Sequence, residues 1–99
     1  MMNDSLGNPV KPDQVYLDSK DPETALHYIV IPNPNQEGRI HFITFLRMNG
    51  GRQEVDLPLN SQPTLYPISR ENLDFRKKML QGELSALESA VIATLNVSV

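Results

Sequence analysis

The chain has 99 residues, 39% of them hydrophobic and 21% charged, with a formal net charge of −3 and no cysteine. That length suits one domain with a modest core, and the apolar share excludes a wholly disordered chain. The absence of cysteine excludes disulfides, thiolate metal sites and cysteine nucleophiles, while the acidic balance opposes approach to a phosphate backbone.

The first residues, Met1-Met2-Asn3-Asp4-Ser5, carry no basic stretch followed by an apolar one, so no secretion signal is read. No apolar run is long enough to span a bilayer. The two sequons at Asn3 and Asn96 are accordingly read as coincidental. The expected location is cytoplasmic, with no membrane partner.

Residues 1–25 are rich in Asn, Asp, Pro and Ser, with Pro9, Pro12 and Pro22 as breakers. Proline fixes φ and removes a donor, so structure here should be short. The stretch reads as an arm, laid over the domain or extended to a partner, ahead of an α+β domain over 26–99. Val15-Tyr16-Leu17 suits a short edge strand. Asp21 is placed to cap a single helical turn.

A strand is expected over His27-Tyr28-Ile29-Val30-Ile31, stopped by Pro32. Residues 33–38 have the composition of a loop. A second strand runs from Arg39 to about Met48. Asn49-Gly50-Gly51 then signals a tight hairpin, and Arg52 to Leu57 forms a third strand ended by Pro58. Consecutive strands with short connections predict an antiparallel β-meander of three or four strands.

Two registers suit the hairpin. An Asn49-Gly50 turn sets Phe42 opposite Leu57, and a Gly50-Gly51 turn sets Leu46 opposite Val55. Both place Phe42, Thr44, Leu46, Val55 and Leu57 on one face, read as the core face. The other carries His41, Ile43, Phe45 and Arg47 with Glu54 and Asp56, and Ile43 and Phe45 form an outer apolar patch.

Residues 58–68, with three prolines, read as an extended connection. Ser69 is a good N-cap, and a long C-terminal helix is expected from there to about Leu95. At about 100° per residue, Leu73, Leu80, Leu84, Leu87, Val91 and Leu95 share a stripe expected to pack on the sheet. Phe75, Met79, Ala86, Ala90 and Ala93 share a second, and Gly82, Ala86 and Ala90 repeat every fourth residue. Such a ridge of small residues admits a close neighbour.

No constellation for catalysis stands out. His27 and His41 lack the further ligands that zinc requires, so neither a metal nor a cofactor is expected. Glu54 and Asp56 share a strand face but read as solvated. Arg70 and Arg76-Lys77-Lys78 are the densest basic run, yet helical spacing disperses them, and no nucleic-acid partner is expected. There is neither a phosphate-binding loop nor a nucleophile elbow.

These readings favour a non-enzymatic protein-binding module acting by surface occupancy, as inhibitors, adaptors and phage-type counter-defence proteins do, and working as a homo-oligomer. Its contact surface would be Phe75, Met79, Gly82, Ala86 and Ala90, or the rival patch of Ile43 and Phe45. A second reading is a small-ligand binder using Tyr28, His41, Arg47 and Tyr66. A third is a structural subunit whose arm docks on a neighbour.

Overall fold

The computed structural model describes residues 2–21, 23–68 and 83–96. Its elements are β1 (Val15–Leu17), β2 (His27–Val30), β3 (Arg39–Leu46), β4 (Arg52–Pro58), a short 3-10 turn (Leu59–Ser61), β5 (Tyr66–Ile68) and the helix α1 (Leu84–Asn96). The strands form one antiparallel sheet in the order β4-β3-β2-β1-β5. The α+β reading therefore stands, as a four-strand meander with β5 added beside β1.

The extra strands come from proline-rich stretches. Val15-Tyr16-Leu17 is buried throughout and pairs with β2 on one side and β5 on the other. It is an inner strand rather than an edge, although it lies within the stretch that reads as an arm. Asp21 caps one turn, its Oδ1 accepting the Glu23 N–H at 3.0 Å, as expected. Pro67 is tolerated because β5 is an edge.

The sheet has two apolar faces, because side chains alternate along each strand. On one, Val15, Leu17, Tyr28, Val30, Ile43, Phe45 and Ile68 cluster with Ala86, Leu87 and Ala90 of α1. On the other, Tyr16, Ile29, Ile31, Ile40 and Phe42 cluster with Met2, Val10 and Leu65. The helix thus covers the face of Ile43 and Phe45, while residues 2–10 and the β4–β5 connection cover the face of Phe42.

The face of Phe42 and Val55 is a core face, but the helix takes the opposite one. Seen from β3 and β4 alone, that opposite face looks polar, because Glu54, Asp56 and His41 lie at its margin. The aromatic and β-branched residues of β1, β2 and β5 make it the wider apolar surface.

The hairpin register also differs from both options. Phe42 pairs with Val55 and Ile40 with Leu57, and Leu46 N–H donates to Gly51 O at 2.9 Å. The loop therefore spans residues 47–50. Asn49 accepts the Gly51 N–H through its side chain at 2.8 Å, and only Gly50 takes a positive φ, of 75°. A two-residue primed turn needs more positive-φ character than that. The shift is an even number of residues, so each side chain keeps its expected face.

Candidate functional site

Where α1 meets the outer hairpin, the chain buries a charge. Arg47, the first residue of the hairpin loop, continues the alternation of Ile43 and Phe45 and is only 5% exposed. Its Nε donates to Glu83 Oε2 at 2.8 Å, its Nη2 to Glu83 Oε1, and its Nη1 to the Ala25 carbonyl at 2.8 Å. Tyr28 Oη donates to Glu83 Oε2 at 2.9 Å, and the guanidinium lies 5.7 Å from the Tyr28 ring centroid. A bidentate pair with further hydrogen bonds is what makes a buried guanidinium tolerable. This network fixes the start of α1 against β2 and the hairpin loop.

Along the same sheet face, at the β3–β4 margin, His41 lies between two carboxylates. Its Nδ1 is 3.0 Å from Asp56 Oδ1 and its Nε2 is 3.0 Å from Glu54 Oε1. Burial opposes charge on the ring, but the hydrogen bonds to Asp56 and Glu54 outweigh it, so the His41 pKa is raised. Arg52 brings a guanidinium to Glu54, at 3.3 Å. His27 is held similarly by Asp18, at 2.9 Å.

Between these features runs an open groove of about 410 Å³, lined by Ile43, Phe45, Arg52, Ser89, Ile92, Ala93 and Asn96. Its floor is apolar and its rim is polar. Ile92 stands 58% exposed on the helix side. Beside it β4 forms the margin of the sheet and has no outer strand partner among the described residues. The Leu46–Gly51 hydrogen bond sets the phase of the ladder. The backbone groups of Gln53, Val55 and Leu57 therefore point toward β3, and those of Arg52, Glu54 and Asp56 point outward. The Asp56 carbonyl accepts from Arg39 Nη2 at 2.9 Å, consistent with that phase.

The residues singled out in the sequence are thus distributed as follows. Ala86 and Ala90 are buried against the sheet at 1% and 0% exposure, so the small-residue stripe seats the helix within its own chain. Leu95, expected on the packed stripe, is exposed. Ile43 and Phe45 lie beneath α1 and reach the groove floor. Phe75, Met79 and Gly82 lie outside the described residues, as does the basic run at 76–78. Tyr28 and Arg47 come together around Glu83, whereas His41 lies at the margin and Tyr66 on β5. None of those four lines the groove.

Sequence reasoning missed Glu83, Arg52, Ile92 and Asn96. The alternation of β4 puts Arg52 on the face of Glu54, which was a usable signal. Nothing in the sequence linked Glu83 to Arg47 across 36 positions. Among the described residues no cluster is arranged to hold a metal ion, and no helix is long and apolar enough to cross a membrane. Comparison with known protein families, curated proteins and solved structures finds no match.

Proposed function

We propose that this chain is a non-enzymatic protein-binding module that acts by occupying a surface, with the groove between α1 and the outer hairpin as its contact site. The observation that carries this reading is the groove itself, an apolar floor of Ile43 and Phe45 flanked by Ile92 of the helix, beside the outward-facing backbone of β4. A strand edge next to an apolar groove suits extended polypeptide. Main-chain hydrogen bonds supply affinity, and a side chain in the groove supplies selectivity. The ionisable groups around it are already engaged with one another, and among the described residues neither histidine hydrogen-bonds a hydroxyl.

The test is selection of binders from a displayed library of extended peptides, followed by NMR mapping on the labelled chain. Binders should shift the amides of Arg52, Glu54, Ile92 and Ala93. Ile92→Asp should remove binding while leaving the melting temperature nearly unchanged, because Ile92 is exposed, and Leu6→Asp should leave binding intact. Peptides that bind elsewhere, or bind Ile92→Asp equally well, would refute the reading.

A further inference from the structure

We propose that the β4 edge pairs with the β4 edge of a second copy of this chain, antiparallel about a two-fold axis through Glu54, joining the two sheets into one. The proposal rests on the protein-binding reading and names the partner: the second copy's β4 is the extended polypeptide at this edge, and library peptides compete with it.

The geometry follows from the outward phase of β4. In an antiparallel ladder, residues whose backbone groups face a new strand exchange N–H and C=O with residues of the same kind. Arg52, Glu54 and Asp56 are those residues. A two-fold axis at Glu54 sets Glu54 opposite the partner's Glu54 and Arg52 opposite the partner's Asp56. Every outward N–H of the trio then meets an outward carbonyl. The Asp56 carbonyl, already accepting from Arg39, has a second lone pair for the partner.

Charge selects this alignment. Cross-strand neighbours of opposite sign are favoured and like charges are disfavoured. The antiparallel match makes an Arg–Asp pair at each end, whereas parallel pairing would set Arg52 against the partner's Arg52 and Asp56 against the partner's Asp56. Charged side chains commonly protect an edge from indiscriminate pairing. Here their order, positive then negative along β4, leaves one arrangement self-complementary. The opposed Glu54 carboxylates oppose association, but each is already held by two groups of its own chain, the His41 ring at 3.0 Å and the Arg52 guanidinium at 3.3 Å.

The interface is isologous, the same patch serving both copies. Directly opposed residues project to the same side, so both helices lie on one face of the joined sheet. The two grooves then face each other across the axis. A contact of one short strand falls in the weak, transient size class, so the equilibrium shifts with concentration.

Sedimentation equilibrium of the full chain should show a concentration-dependent dimer. Glu54→Gln relieves the like-charge contact and should tighten it about two- to fivefold. Asp56→Arg should weaken it about tenfold or more, since symmetry converts two attractive pairs into repulsive ones. Adding Arg52→Asp to Asp56→Arg should restore it. Because the chain contains no cysteine, Glu54→Cys is a clean reporter. A hydrogen-bonded pair sets Cα atoms about 5.5 Å apart, within disulfide reach, so mild oxidation should link this variant much faster than Leu6→Cys.

A monomer at every concentration, with Glu54→Cys linking no faster than Leu6→Cys, overturns the proposal. So does a dimer indifferent to Asp56→Arg. A monomer that still binds peptides in the groove removes the self-pairing and keeps the binding module. A β4-linked dimer that binds nothing in the groove supports the pairing and removes that function.

Discussion

His41 on β3 and Arg47 just past its end share the helix-side face of the sheet yet meet opposite surroundings. Arg47 is enclosed, and its pairing with Glu83 answers an otherwise prohibitive desolvation. Lysine there would lose the forked geometry that serves Glu83 and the Ala25 carbonyl together. His41 keeps 31% of its side chain exposed, so solvent screens its carboxylate pairs and their worth stays below about 1 kcal/mol. Its raised pKa fixes the sign of the pH effect. A group held more basic in the folded chain than in the unfolded one stabilises fully below its unfolded value, about 6.5, and that contribution disappears as pH rises through the folded value. The melting temperature of the parent chain, less that of His41→Gln, should be largest near about pH 5.5 and fall toward about pH 8.5. Parallel thermal curves for the two proteins across that range would contradict the assignment.

At the scale of elements, the way α1 sits on the sheet shows what the sequence could and could not reveal. The alternation in β3 and β4 was legible, because a period of two survives any even shift of register. The turn was less so, since Asn49-Gly50-Gly51 suits several loop lengths and the choice depends on Arg47 turning inward to Glu83. The helix face was read from leucine positions, yet Ala86 and Ala90 make the closest approach. Large residues on the sheet, Tyr28 and Phe45 among them, already fill the layer, so small ones must oppose them. A β-carbon added at Gly50 would lie 3.5 Å from the Ala86 nitrogen, so the loop also abuts the helix. Ala90→Leu should therefore cost about 1–3 kcal/mol through overpacking, measurable as a lowered urea midpoint. A carboxylate at the same position would be buried without a partner, so Ala90→Glu should not fold. Unaltered stability in both variants would mean that α1 does not pack through this stripe. The groove was hidden for a related reason, because it lies between α1 and β4, which no local pattern joins.

At the largest scale, the sheet is a middle layer, with α1 on one side and residues 2–10 on the other. Met2 is fully buried, and Ser5 N–H donates to the Leu65 carbonyl at 2.8 Å. Tyr16 accepts the Lys11 N–H at 2.9 Å, and burial is the main cause of its raised pKa. Deleting residues 1–10 should therefore cost about 3 kcal/mol in lost apolar burial and uncover Ile40 and Phe42. Loss of stability in urea, with new binding of a hydrophobic dye, would be the sign. A truncated chain as stable as the parent would show that this layer is only a coating.

Strands β4 and β5 stand at opposite margins of the sheet and run in the same direction. Residues 59–65 must therefore travel diagonally beneath it. The width alone is four strand spacings, about 19 Å; seven residues reach about 23 Å at most, and the 3-10 turn at Leu59–Ser61 shortens that reach, so the strap has little slack. Leu59 and Leu65 anchor its two ends in the lower apolar layer. The hairpins of the meander join near neighbours, whereas the strap joins the two margins of the sheet, so loosening it should free β5 from β1 while leaving β1 to β4 paired.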